Sequence, residues 1–232
     1  MFADRNSELV RRAAVHSALG DPARLSIVDV LAIGDAAPSE LRTRLGMPSN
    51  LLAHHLAVLE RAGIIRRTRS QADRRRTYLR LVPAALDGVA LATAALSAPP
   101  RVMFVCTENS ARSQLAAALW TLHSDIPVVS AGTHPAPRVH PGAHAAARRH
   151  HLPMEAATPR RLIDHLHADD FVITVCDAAH EELRPVLPWA HWSVADPAPA
   201  GTHSAFDQTV DDLIDRITRL APVLTITESP RP

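Results

Sequence analysis

The chain has 232 residues and a formal net charge of only +1, yet residues 1–100 carry 14 arginines against 9 acidic residues while residues 101–232 carry 11 against 15. This length, with a basic half joined to an acidic half, makes two domains the expectation, the basic one meeting nucleic acid. All 25 basic residues are arginine, which excludes a Walker-type lysine and a lysine Schiff base, and two cysteines, both in the acidic half, exclude a disulfide framework. The apolar run at 88–100 is too short to span a bilayer, and the start of the sequence does not read as a signal peptide, so the expectation is a cytoplasmic protein with no membrane partner.

In chain order, Asn6-Ser7-Glu8 reads as a helix cap before an alanine-rich helix to about Leu19. Gly20-Asp21-Pro22 is a turn that also starts a second helix, with Leu25, Val28 and Leu31 as its apolar face. Pro38-Ser39-Glu40 starts a short third helix ended by Gly46, and Pro48-Ser49-Asn50 starts a fourth that runs through Leu52, Leu56 and Leu59 to Gly63. Two short helices about a glycine-bearing turn form a helix-turn-helix candidate. Residues 64–69, the polar break Ser70-Gln71-Ala72-Asp73 and residues 74–82 then read as a hairpin in the position of a wing. Its seven arginines, Arg66, Arg67, Arg69, Arg74, Arg75, Arg76 and Arg80, are set to face whatever it touches.

The phrases Ala18-Leu-Gly-Asp-Pro-Ala-Arg24-Leu, Leu45-Gly-Met and His54-His55-Leu56-Ala-Val-Leu59-Glu-Arg-Ala-Gly63 resemble the ArsR family of winged-helix repressors over roughly residues 8–95. The resemblance implies a mainly α winged helix-turn-helix domain over 1–98, a homodimer formed through the first helix and residues 83–98, and double-stranded operator DNA as partner. It places Ser49, Asn50, Ala53 and His54 nearest the bases, with Leu51 near a thymine methyl. Arg67, Arg69, Arg74, Arg75 and Arg76 would track phosphates, while the His55 ring packs on the preceding helix. Metalloid-sensing members hold their metalloid with cysteines near the helix before the recognition helix, and zinc-sensing members use His and Asp on the last helix. Residues 39–45 have no cysteine and residues 83–98 offer only Asp87, so any signal is expected from the attached domain.

A short, proline-stiffened linker at Ser97-Ala98-Pro99-Pro100 leads to Val102-Met-Phe-Val-Cys-Thr-Glu-Asn-Ser-Ala-Arg-Ser, an apolar strand running into a cysteine and, six positions on, an arginine. A cysteine is a nucleophile as its thiolate, which cations and helix N-terminal amides favour. The loop Thr107, Glu108, Asn109, Ser110 and Ala111 can curl round a tetrahedral anion with its N–H groups inward, and Arg112 supplies a fork for two oxygens. Glu108 is expected to point outward. A helix follows over 113–122 with Leu115, Ala118 and Leu122 on one face, then a strand ending Ser-Ala-Gly-Thr at 130–133.

Together with Asp196-Pro197, 90 residues after Cys106, these features resemble the low-molecular-weight tyrosine phosphatase and thiol-dependent arsenate reductase superfamily over about 101–222. The resemblance implies an α/β domain with a parallel sheet, placed at 101–224, in which Cys106 attacks, Arg112 grips the oxyanion, Ser113 donates to the thiolate, Asn109 props the loop and Asp196 is the general acid. Tyrosine phosphatases of this kind place proline after Arg-Ser and a tyrosine pair after Asp-Pro. Here Gln114 follows Ser113, Ala198-Pro199-Ala200 follows Pro197, and the only tyrosine is Tyr78. Arg112-Ser113-Gln114 resembles the arsenate reductases, which makes arsenate or a phosphate-like oxyanion the expected substrate.

Arsenate reduction takes two electrons from thiols. Cys176 matches the first relay position of thioredoxin-linked members, but residues 177–183 hold no partner cysteine, and the loop cysteine of some members is Ala111 here. Either Cys106 and Cys176 form a disulfide, or an external thiol of the mycothiol, glutathione or thioredoxin type resolves the adduct, with no bound cofactor. The alternative for Cys176 is a buried strand cysteine. Pro141-Gly142 separates His140 from His144, so no metal site is expected. His150, His151, His165 and His167 are expected on solvated helix surface, and residues 225–232 as a frayed tail. The whole chain reads as a DNA-binding regulator fused to an arsenate reductase in arsenic resistance. The alternatives are a repressor whose second domain senses an oxyanion or oxidant without turnover, and a tyrosine phosphatase.

Overall fold

The structure, a computed structural model, describes residues 2–87, 96–154, 157–184 and 189–225. It divides into two compact units, residues 1–70 with 74–93 and residues 94–232 with 71–73.

The first unit runs α1 (Phe2–Leu19), α2 (Pro22–Ile33), α3 (Pro38–Leu45), α4 (Ser49–Arg61) and the antiparallel hairpin of β1 (Ile65–Arg69) and β2 (Thr77–Leu81). Asp21 caps α2 by accepting the Arg24 N–H at 3.0 Å, and Pro22 takes the first turn, where no amide is needed. That amide holds the Asp21 carboxyl below its usual range. Gly46, at φ 63°, ends α3 in the left-handed conformation that allows the sharp turn into α4. Ile27, Val28, Leu41, Leu59, Ile64 and Leu79 are fully buried together beneath the helices and hairpin. The hairpin is tied to the α2–α3 link by Leu79 N donating to Ala36 O at 2.8 Å.

Three expectations for this unit change. Helix α1 already runs from Phe2, so Asn6-Ser7-Glu8 lies inside it and not at its start; no glycine or proline in residues 2–5 stops the helix from extending backwards. Arg74, Arg75 and Arg76 sit in the turn of the hairpin and not on its strand, which starts at Thr77. The chain makes a 3-10 turn at Pro83–Leu86, and the rest of the dimerisation segment through residue 95 lies outside the described residues.

The second unit contains β3 (Leu96–Ser97), β4 (Arg101–Cys106), α5 (Arg112–His123), β5 (Val128–Gly132), α6 (Pro141–Arg149), β6 (Asp170–Thr174), α7 (Asp177–Leu183), β7 (Ala190–His191), α8 (His203–Leu220) and β8 (Leu224–Thr225). Four strands form a wholly parallel sheet in the order β5-β4-β6-β7. Such a sheet is covered on both faces, which is why β4 and β6 read as unbroken apolar runs: residues 102–105 have no exposure at all. Phe104 packs between Trp120 and Trp192, with ring centroids at 5.9 and 5.5 Å. The chain goes from β4 to β5 on one side and then to β6 on the other, so the order reverses at β4. Ligands of doubly wound sheets bind beyond the carboxyl ends of the strands at that switch point, where Cys106 lies.

At the opposite end of the sheet, Arg101 Nε and Nη2 grip both oxygens of buried Asp170 at 2.7 and 2.6 Å. Burial alone would raise the Asp170 carboxyl; Arg101 and the His167 amide outweigh it and hold the group below its usual range. Leu122 is exposed, contrary to the expected face. The Trp120 ring is fully buried and its Nε1 donates to Ile126 O at 3.0 Å, so the inward stripe of α5 is Leu115, Ala116, Leu119 and Trp120. His150 follows α6 and contacts Asp207 at 2.9 Å, His151 has φ 54°, and His165 and His167 lie in the irregular segment before β6; none of the four is on a helix. Ser97 and Thr225 pair in the β3–β8 ladder, so neither the linker nor the tail begins where expected; residues 226–232 lie outside the described residues. No helix is long and apolar enough to cross a membrane among the described residues.

Candidate functional site

Beyond Cys106 the loop 107–111 is clamped from outside through its carbonyls. Cys106, Thr107, Glu108 and Ser110 each accept a backbone hydrogen bond, from Thr133, His134, Ala136 and His140 respectively, at 2.8–3.2 Å. With those carbonyls engaged on the outer side, the Asn109 N–H points to the Cys106 sulfur at 3.1 Å, the inward sense that anion binding requires. The close approach of β5 needs Gly132: a Cβ there would stand 2.6 Å from the Thr107 carbonyl oxygen. Glu108 is exposed and accepts from Ser110 Oγ at 3.0 Å, clear of the cradle, as expected.

The orientation of the Asn109 amide beside the sulfur is fixed by its partners. Its Oδ1 accepts the backbone N–H of Arg160 at 2.8 Å, a donor that cannot reverse, and Gln114 Nε2 at 3.0 Å. The other end of the amide must therefore be Nδ2, which donates to Ser113 Oγ at 2.8 Å. Ser113 Oγ, acting as acceptor there, keeps its own hydrogen free and lies 3.0 Å from Cys106 Sγ, placed to donate to a thiolate. The Asn109 backbone N–H supplies a second donor at 3.1 Å. Asn109, at φ 50°, is fully buried, and asparagine tolerates this left-handed conformation better than most residues.

Arg112, mostly buried, donates from Nη2 to Asp196 Oδ2 at 2.9 Å and from Nη1 to Val194 O at 3.2 Å. The general-acid candidate thus rests on the oxyanion fork. Cys106 and Cys176 are both buried free thiols. Burial pushes the Cys176 thiol up, and proximity to Cys106 pushes the same way. Thr107 Oγ1 is 3.4 Å from Cys176 Sγ.

Three features escaped the sequence reading. Gln114 is a strut, since its Nε2 also donates to Thr158 O at 3.0 Å. Gly132 had a legible signal, a glycine closing a strand beside the loop. Asp177, His191, Thr174 and His180 form a buried polar chain, with His191 Nε2 at 3.1 Å from Asp177, Thr174 Oγ1 at 2.9 Å from His191 Nδ1, and the two imidazoles stacked at 4.0 Å. Desolvation works to raise Asp177, but the His191 hydrogen bond helps hold it below its usual range. Nothing local in the sequence joins these four. His140 accepts from Gly142 N at the start of α6, and no group of three or more metal-ligating side chains occurs among the described residues.

In the first unit, Ser49, Asn50, Leu51, Ala53 and His54 share the exposed face of α4, while His55 is buried with Nδ1 3.8 Å from Asp21 Oδ1. Arg66, Arg67, Arg69, Arg74, Arg75 and Arg76 are exposed and Arg80 half-buried; Arg67 is bonded to Glu60 at 2.6 Å.

The family model of low molecular weight phosphotyrosine protein phosphatases matches residues 101–229. The chain belongs to that family. Within it, this low-molecular-weight phosphatase family member is 34% identical over 128 residues to an arsenate reductase of Oceanobacillus iheyensis, covering 50% of this chain and 91% of the relative. It is 36% identical over 131 residues to an arsenate reductase of Bacillus licheniformis, covering 52% and 94%. Among solved structures, an arsenate reductase from Archaeoglobus fulgidus aligns at 27% identity and a TM-score of 0.45, over 52% of this chain and 98% of that one. A helix-turn-helix domain model matches residues 19–68, which hold α2, α3, α4 and part of β1. The phosphatase-family unit is therefore fused to a helix-turn-helix of the ArsR type.

Proposed function

We propose that the second unit is a thiol-dependent arsenate reductase and the first a DNA-binding regulator, joined as a homodimer-forming protein of arsenic resistance. The observation that carries the reading is the alignment of two arsenate reductases at 34% and 36% identity over more than nine-tenths of their own length. The site agrees with a small substrate: it offers a cradle for a tetrahedral anion, and the only tyrosine, Tyr78, is fully buried in the β1–β2 hairpin and supplies no wall for an aryl group.

Arsenate replaces Asp196 on the Arg112 fork, and the loop amides take its oxygens. The Cys106 thiolate forms a bond to arsenic while an As–O bond breaks, the departing hydroxide taking its proton from the freed Asp196 carboxyl. A second thiolate then attacks Cys106 Sγ. The electron pair of the S–As bond stays on arsenic, which leaves as arsenite, and two thiols have become one disulfide. Burial disfavours Cys176 as that attacking thiolate, so the resolving group is an external thiol of the mycothiol, glutathione or thioredoxin type. A further equivalent of the same thiol restores Cys106. The regulator unit sets the exposed face of α4 in the major groove of operator DNA and the wing arginines on phosphates.

The test is arsenite released from arsenate by the full chain with each thiol system supplied in parallel, Cys106→Ser serving as blank. Cys106-dependent turnover with one of them is expected. A folded preparation that turns over with none refutes the reductase reading and leaves an oxyanion-sensing regulator.

A further inference from the structure

The second unit holds a second concave cationic site besides the Cys106 cradle. A cavity of about 450 Å³ is lined by Arg138, His144 and Arg148 on walls that include Pro137, Pro141 and Pro159, and among the described residues no acidic side chain lines it. This is the size of a small-molecule site. Arg101, Arg112, Arg149, Arg216 and Arg219 are each bonded to an aspartate. Arg138 and Arg148 make no hydrogen bond or ion pair among the described residues, although acidic residues outnumber arginines in this half of the chain. Two guanidinium groups with no partner among the described residues and an imidazole about one cavity recognise negative groups, while the proline walls present a rigid apolar surface to a hydrocarbon body.

The walls also hold the catalytic loop. His140, flanked by lining residues Val139 and Pro141, donates its backbone N–H to Ser110 O at 2.8 Å. Thr158, itself part of the lining, accepts Gln114 Nε2, and the Arg160 N–H next to Pro159 is the donor that orients Asn109. One segment reaches the loop at the Ser110 carbonyl and the other at the Asn109 and Gln114 side chains, whereas the oxyanion of the reaction is taken by the loop amides and Arg112. An occupant of the cavity is therefore not the reacting anion, yet it bears on the two segments that keep Asn109 and Ser110 in place.

We propose that this cavity is an effector site for a small organic anion with at least two negative groups, carboxylate or phosphate, whose binding alters the reactivity of Cys106. The inference stands apart from arsenate reduction, because Cys106 alkylation reads it without turnover. The experiment uses the full chain, with citrate as the carboxylate probe and fructose 1,6-bisphosphate as the phosphate probe. Binding is followed by calorimetry after Cys106 has been alkylated with iodoacetamide to close the catalytic cradle. The rate of that alkylation is measured separately with and without saturating probe. At least one probe is expected to bind saturably, and Arg138→Ala with Arg148→Ala to weaken it by about tenfold or more, the loss of a charged hydrogen-bond partner being worth about a decade of affinity. The same double variant, altered only at exposed positions, is expected to abolish the effect of the probe on the alkylation rate and to leave the rate without probe unchanged. Affinity that survives the double variant, or no saturable binding of either probe to about 10 mM, a limit of about 3 kcal/mol in binding free energy, overturns the site. Binding that leaves the alkylation rate untouched overturns its effector role.

Discussion

If Asn109 orients Ser113, then Asn109→Asp, which changes one nitrogen to an oxygen, must weaken Cys106 as a nucleophile. The carboxylate keeps the acceptor used by the Arg160 N–H and Gln114 Nε2, and aspartate shares with asparagine the tolerance for φ 50°. What it loses is the donor at 2.8 Å from Ser113 Oγ. An oxygen in that place draws the serine hydrogen to itself, and Ser113 then presents a lone pair to the sulfur 3.0 Å away. One of the two donors at Cys106 is gone, the Asn109 amide at 3.1 Å remaining. A hydrogen bond to a charged group is worth about 1.5–3 kcal/mol, so the alkylation rate at neutral pH should fall about ten- to a hundredfold. The assay is the second-order rate of iodoacetamide alkylation against pH, read by mass spectrometry of the Cys106 peptide. Ser113→Ala should lower the rate in the same direction, and Asn109→Asp placed on Ser113→Ala should cost less than it does in the parent, what remains being the effect of the new charge alone. A rate for Asn109→Asp equal to the parent's would refute the reasoning, and so would an undiminished cost in the Ser113→Ala background.

Three further outcomes follow from the geometry. Gly132→Ala brings a Cβ to 2.6 Å from a backbone oxygen of the loop, which cannot swing aside as a side chain would. The loop must shift, and the alkylation rate should fall about a hundredfold, as displacements near an ångström cost at catalytic sites, with far-UV circular dichroism unchanged; a parent-like rate would show that the clamp is slack. Asp170→Asn leaves Arg101 without its carboxylate at a nearly buried pair, so denaturant unfolding should report a loss of about 3–5 kcal/mol at pH 7. Because the folded carboxyl is held below its usual range, this stabilisation is complete above about pH 4 and disappears as pH falls through the folded value; parent and variant curves should converge in acid, and a gap that stays constant would sink the assignment. Replacing Arg74, Arg75 and Arg76 with alanine should lower the salt slope of DNA binding by about 0.9 for each phosphate no longer neutralised while leaving sequence preference intact, whereas Asn50→Ala should alter preference; fluorescence anisotropy over a salt series separates the two, and an unchanged slope for the triple variant would mean the wing does not touch phosphate.

What the sequence made legible and what it hid divide along a physical line. Cys106, Asn109, Arg112 and Ser113 lie within eight residues of one another at the end of an apolar strand, so their chemistry is a local pattern. The helix-turn-helix was legible for the same reason: Asp21, Pro22 and Gly46 mark helix ends through local backbone needs. The misreadings at Asn6-Ser7-Glu8 and at Leu122 come from treating local preference as decisive where an uninterrupted helix and a buried indole outweigh it. The unread parts depend on which strands become neighbours. Asp177 meets His191 because β6 lies beside β7, and Gly132 meets Thr107 because β5 lies beside β4; neither adjacency leaves a periodicity along the chain. Least visible of all is the clamp on the loop carbonyls, since its donors are the backbone N–H groups of Thr133, His134, Ala136 and His140, which any residue but proline supplies. The side chains that carry the chemistry are thus written in the sequence, while the backbone contacts that aim them are set by the topology of the sheet. Proline at those four positions is the substitution through which composition alone could undo the site.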